Sequence, residues 1–321
     1  MKQDNKREKV LNDEKNTAEL DITFIDLKRD FVFKWVFGTE GHEELLLLLI
    51  DSILPEKHIR HVMLGAQEQE PDREDAQGGI YDIYCVTDDG SSLTIEMQVC
   101  SQEDFNDRMV FYSSFSIRNK VGKGTKEQYD KNLLLDDEEL DSKQKTKIRY
   151  KLPPIYVIGI VNFELSGINK SDDIIRHFSI REDKGNKGQF TDSIHYVTVE
   201  LPKFIKKRSE LKSKQDFMLY ALKNTDKMKE IPKEFMGKGF DKLFEVCSFA
   251  NMTEDMQLKY VRKMMAEWDR EGQLATAVMT GEKKGHAEAC TEIAKRMKAD
   301  GFELHVISEI TGLTSEQIKA L

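Results

Sequence analysis

Hydrophobic positions along the chain follow two periods, and where the period changes the expected elements change with it. From Asp30 to Phe37 the residues Phe33, Val36 and Phe37 share one helical face, and a second helical stretch, His42 to Leu54, stops before Pro55. Val62 to Ala66 reads as a short strand, and Gln67 to Gly79, with Pro71 and Gly78-Gly79, as a polar loop. Two strands follow, Ile80 to Val86 and Ser92 to Val99, joined through Thr87-Asp88-Asp89-Gly90. Asp-Gly between β-branched and aromatic runs is a hairpin signal. Gln102 to Asn119 returns to helical spacing, with Phe105, Met109, Tyr112, Phe115 and Ser116 on one side. Pro153 to Phe163 is an unbroken β-branched run, as expected of a strand buried on both faces. Ile174 to Ile180 and Ile194 to Leu201 add two more strands, after which the spacing is helical through Phe217 to Leu222, Phe240 to Phe249 and Gln257 to Glu271.

The pattern predicts an α/β fold, a mixed central sheet flanked by helices, with a helical C-terminal region. Residues 1–20 read as a disordered, charge-rich leader and 21–205 as the core, carrying a charged insertion at about 121–151. Residues 206–282 form a helical extension, and Lys283 to Gly285 reads as a hinge into a C-terminal helical hairpin, 283–321. Within that hairpin Ala289 to Ala299 is closed by Gly301, and Phe302 to Ile318 reads as helix, tight turn, helix. Its last helix is short and carries one lysine, which fits packing or self-association better than reading a major groove.

Three polar side chains break the strand pattern. Strand alternation sets Asp82 in phase with Tyr84, and Glu96 in phase with Thr94 and Gln98. Two carboxylates brought together on paired strands repel each other unless a cation lies between them, and hard divalent cations choose oxygen ligands. The outer, solvated face of a hairpin is the other reading of the same charges.

Charged residues make up 33% of the 321 residues and hydrophobic ones 39%, enough for one sizeable core with well-solvated helices. The formal net charge of −9 argues against bulk attraction to nucleic acid, and leaves open binding through a local field or a bound metal. Cys85, Cys100, Cys247 and Cys290 are widely spaced and read as reduced thiols. The first residues contain no apolar segment of signal type, and the run from Leu45 to Ile50 is too short to span a bilayer, so the expectation is a soluble, cytoplasmic chain. His58 and His61 have no further ligands at zinc spacing, and the phosphate-loop, nucleophile-elbow and zinc-protease signatures are all missing.

Several stretches resemble one family in order and spacing: the recombination-promoting nucleases, PD-(D/E)XK nuclease family transposases. Asp30-Phe31-Val32-Phe33-Lys34-Trp35-Val36-Phe37-Gly38 is similar to the family's D-x-x-F-K-x-x-F-G element. Asp82 followed by Glu96-Met97-Gln98 is similar to its D…E-x-Q form of the nuclease motif, with Gln98 where the lysine of the family's name stands. Phe105 to Tyr112 resembles the helix after the motif, Pro154 to Phe163 the next buried strand, and Val199 to Phe204 the later E-L-P-K-F element. Gly124 and Tyr129 match the family's G-x-x-Y feature only loosely, being too far apart.

The resemblance implies a restriction-endonuclease-like core and metal-dependent hydrolysis of DNA, with Mg²⁺, or Mn²⁺ in its place, held by Asp82 and Glu96. Gln98 would orient water, Arg108 and Tyr112 would meet substrate, and Glu43 or Glu44 on an early helix would join the metal shell. Arg108 has a second reading as a snorkelling side chain and Tyr112 as a core anchor, while Glu43 and Glu44 also suit a solvated helix start. A homo-oligomer is expected, because cutting both strands calls for two sites. The competing class is a nuclease-like fold that binds nucleic acid or a partner without cutting, tied to mobile elements or phage defence.

Overall fold

A computed structural model describes residues 21–66, 68–69, 79–121, 152–168, 170–183 and 188–321. The expected leader and nearly all of the charged insertion lie outside these residues. The described chain divides into two units, one ending at Met252 and one beginning at Thr253.

The first unit opens with α1 (Asp30–Gly38) and α2 (Glu43–Ile53). The strands are β1 (Val62–Leu64), β2 (Glu68–Gln69), β3 (Gly79–Ile80), β4 (Ile83–Thr87), β5 (Ser92–Gln98), β6 (Ile155–Val161), β7 (Ile175–Ser179) and β8 (Ile194–Glu200). Between β5 and β6 comes α3 (Phe105–Val121), and α4 (Lys214–Asn224) and α5 (Asp241–Cys247) complete the unit. Six strands make one mixed sheet in the order β1-β4-β5-β6-β8-β7, while β2 and β3 pair apart from it. The two inner pairings, β5 with β6 and β6 with β8, are parallel, and β1–β4, β4–β5 and β7–β8 are antiparallel. All seven residues of β6 are buried, as its unbroken apolar run requires of a strand covered on both faces.

The β4–β5 hairpin turns where Asp-Gly predicted it. Thr87 N–H bonds to the Ser91 carbonyl at 2.9 Å, and Gly90 takes φ +79°, a conformation that costs a side-chain-bearing residue but not glycine. Helix α3 then packs on β5 and β6, with Phe105, Met109, Tyr112 and Phe115 buried against Tyr81, Val157 and Val161. Gly159 allows this approach. A Cβ there would lie 2.8 Å from the Phe105 ring and 3.0 Å from Met109 Sδ. Gly159 also stands beside Glu96 in the β5–β6 register. We expect Gly159→Ala to push α3 off the sheet and cost about 1–3 kcal/mol, read as a lowered melting temperature. A wild-type melting curve would show that the helix shifts at no cost.

The E-L-P-K-F element is structural. Glu200 is buried at the end of β8, its Oε1 2.8 Å from Lys203 Nζ and its Oε2 accepting from Leu165 N–H at 3.0 Å. It pins the loop after β6 to the end of the neighbouring strand β8.

The second unit contains α6 (Glu254–Ala299), α7 (Leu304–Thr311) and α8 (Ser315–Ala320). The hinge expected at Lys283 to Gly285 and the boundary at 283 fall inside α6, which runs on unbroken. A single glycine costs a helix only about 1 kcal/mol, and the neighbours here are good helix formers. The observed boundary, between Met252 and Thr253, coincides with the N-cap of α6, where the Thr253 side chain accepts from Met256 N–H. Ala294, Ile307 and Ile318 form a small core with Met297, Leu304 and Leu313, so α7 and α8 fold back on the end of α6. Gly312, at φ +69°, makes the turn between them.

Candidate active site

The site begins with strand register. Ile83 faces Ile95 across the hairpin, and one step further along sets Asp82 opposite Glu96. Both residues are buried, 4% and 2% exposed, which rules out the solvated outer face. Each is tied to the other strand's backbone. Asp82 N–H donates to Glu96 Oε1 at 3.1 Å, and Met97 N–H donates to Asp82 Oδ2 at 2.6 Å.

Two cations approach from two helices. Lys34, on α1, places Nζ 3.1 Å from Asp82 Oδ1 and 3.2 Å from Asp30 Oδ1. Arg108, on α3, places Nη2 3.1 Å from Glu96 Oε2. Its Nε donates to the Tyr112 hydroxyl at 2.8 Å and its Nη1 to Gln102 Oε1 at 3.1 Å and Gln98 Oε1 at 3.4 Å. Gln98, half-buried at the end of β5, donates in turn to the Cys100 carbonyl at 3.3 Å.

Asp82 and Glu96 thus face Lys34 and Arg108, and Asp30, largely exposed, meets Lys34 from the same helix. Burial raises Asp82 well above the usual carboxylate range, and the hydrogen bond and charge of Asp30 add to it; Met97 N–H and Lys34 pull the other way and lose. Burial also raises Glu96, with the Asp82 charge next, against Arg108. Lys34 is different: burial favours its neutral form, but Asp82 and Asp30 outweigh this and raise its pKa, so it stays an ammonium.

Of the residues expected from sequence, Asp82, Glu96, Gln98, Arg108 and Tyr112 come together. Tyr112 is mostly core, edge-on to Tyr81 at 5.2 Å, and its hydroxyl holds Arg108. Arg108 is no free phosphate clamp, because its guanidinium is committed to Glu96 and its neighbours. Glu43 and Glu44 stand apart from the cluster. Glu43 accepts from Gly41 N–H at 3.0 Å at the start of α2, and Glu44 lines an outer groove with Leu48, Asp51 and Lys214. The acidic residue from an early helix is Asp30. Asp30 and Lys34, an i, i+4 pair, are the only charges in the apolar α1 sequence, and that isolation was the available signal.

A family model described as PD-(D/E)XK nuclease family transposase matches residues 27–277. The chain belongs to this family. The match spans the hairpin, α3 and the whole mixed sheet, and it supports a nuclease or transposase-like function. No curated protein and no solved structure matches the chain. Among the described residues no helix is long and apolar enough to cross a membrane.

Nucleases of this family generally use divalent metals. Among the described residues no three His, Cys, Asp or Glu side chains form a ready ligand set. The Asp82–Glu96 pair nevertheless fits a hard cation. Its donors are oxygens, burial holds both pKa values up so that the pair gains by meeting a cation, and one or two carboxylates completed by water suffice for a cation such as Mg²⁺.

Proposed function

We propose that the chain is a divalent-metal-dependent DNA endonuclease that hydrolyses phosphodiester bonds, with Asp82 and Glu96 as metal ligands and Mg²⁺ as the working ion. The observation that carries this reading is the buried, face-to-face pair of carboxylates, each held by the other strand's backbone. A hydrophobic core does not retain such a pair without return, since burying charge costs several kcal/mol per ion.

A cation bound there supplies Lewis-acid polarisation of the phosphate and a lowered pKa for water. The protein's own groups supply the rest. Asp82 and Glu96 stay fixed because their oxygens accept backbone N–H bonds, so little reorganisation accompanies binding. Gln98, at the end of β5, has an amide NH₂ that donates and a carbonyl oxygen that accepts with which to orient water, and no charge to lend. Arg108 holds Glu96 through Nη2 and is itself held by Tyr112 and Gln102. Pairing of two chains would bring two such sites to the two strands of a duplex.

The test is nicking of supercoiled plasmid with Mg²⁺ or Mn²⁺, beside Asp82→Ala and a chelator control. Metal-dependent nicking that the variant loses is the expected result. Gln98 in the lysine's place favours one other reading, a fold that binds DNA without cutting it. Retained DNA binding with no nicking in either metal would establish that reading instead.

A further inference from the structure

The site contains a cation that the motif strand does not provide. Gln98 ends β5 where the family's lysine stands, and it is neutral. Lys34 reaches the Asp82 carboxylate from α1, a separate element. Its helix is fixed by Val32, Phe33, Val36 and Phe37, all fully buried, so the ammonium is held and not floating. An ammonium has three N–H donors. Asp82 and Asp30 take two of them, and with its side chain 28% exposed Lys34 keeps an open side toward solvent.

We propose that Lys34 is the catalytic cation of the cleavage step, taking over from α1 the charge that Gln98 cannot supply on β5. The inference rests on the nuclease reading above. In the step, a water oxygen forms a bond to phosphorus, the ester bond to the leaving sugar oxygen breaks, and the proton lost by the water ends on that oxygen. The products are a phosphomonoester and a free hydroxyl. Lys34 remains protonated throughout and donates to a non-bridging phosphoryl oxygen, whose negative charge grows toward the transition state. In this role Asp30 is a positioning residue, holding the ammonium beside Asp82.

The alternative is that Lys34 only neutralises a buried Asp82. Moving the charge separates the two. The full-length chain, K34Q, Q98K and the double variant K34Q/Q98K are compared in plasmid cleavage with Mn²⁺, in Mn²⁺ binding by calorimetry without DNA, and in thermal unfolding. For K34Q we expect cleavage to fall by about 100-fold or more, the range found when one transition-state donor is removed. Its Mn²⁺ affinity should be equal or tighter, because a competing cation has left Asp82. The double variant should regain about 10-fold or more, since its lysine points into the same site from position 98.

K34Q that cuts like wild type overturns the proposal. So does K34Q that loses Mn²⁺ affinity in step with rate while the double variant recovers nothing, which assigns Lys34 to neutralisation alone. Should K34Q fail to fold, K34R decides. Its planar fork keeps the ion pairs but misplaces the donor, so a folded K34R slowed about 10-fold or more supports the proposal and one at the wild-type rate overturns it. If wild type leaves the plasmid intact, the nuclease reading falls and takes this inference with it. If wild type cuts, Asp82→Ala does not and K34Q does, only the assignment of Lys34 falls.

Discussion

Asp82→Asn and Glu96→Gln are each expected to lower cleavage by about 1,000-fold or more while melting within about 4 °C of wild type. The two halves of this expectation have separate causes. Cleavage falls because an amide is a poor ligand for a hard cation, and because the pair's charge is what draws that cation in. Stability hardly moves because two effects oppose each other. The amide nitrogen must face a donor, Lys34 in one case and Arg108 in the other, which costs about 1–3 kcal/mol. Against this, a neutral amide escapes the burial penalty that chiefly raises Asp82 and Glu96, and the repulsion between the two acids goes with it. Plasmid cleavage and differential scanning fluorimetry measure both. A fall of more than about 10 °C would mean that the ion pairs hold the fold together, and the ligand assignment would lose its basis.

The same burial sets a dependence on pH. Both folded-state pKa values lie above those of an unfolded chain, burial being the first cause in each. The folded protein therefore keeps protons that the unfolded chain releases, and stability falls as pH rises from about 4 through the raised values. Asp216 works in the opposite sense: burial acts to raise it, but Lys206 and the N–H groups of Lys212 and Ser213 hold it down, and its contribution is lost only in acid. Above about pH 5 the Asp82–Glu96 pair thus governs the trend. Metal-free protein is expected to melt several degrees higher near pH 5.5 than near pH 8, and saturating Mg²⁺ to close most of that gap. Calorimetric scans in chelator and in Mg²⁺ test this. Stability that rises over the same interval without metal would mean that Lys34 and Arg108 already balance the pair, leaving no call for a further cation.

Much of the sheet was legible in the sequence because its signals are local. The Asp89-Gly90 turn fixed the hairpin, alternation put Glu96 and Gln98 on one side of β5, and the apolar run after Pro154 could only be an interior strand. The parts that were hidden depend on contacts between distant segments. Nothing in the period of α1 says that it docks beside the start of β4, so the isolated charges Asp30 and Lys34 could not be tied to Asp82, and the expectation settled on Glu43 or Glu44. The expected hinge failed for the opposite reason. Gly281 and Gly285 are breakers by residue type, but the alanines, lysines and glutamates around them carry the helix across.

The hydrogen bonds across the hairpin have one more consequence. Asp82 grips the Met97 amide, and the Asp82 amide grips Glu96, so the two acids are part of the stitching that aligns the strands. A slip of one residue would turn one of them to the opposite face of the sheet and undo both stitches at once. A chain that pairs its strands wrongly therefore never assembles the charge cluster. Under the nuclease reading proposed above, a mispaired copy is inert, not indiscriminate.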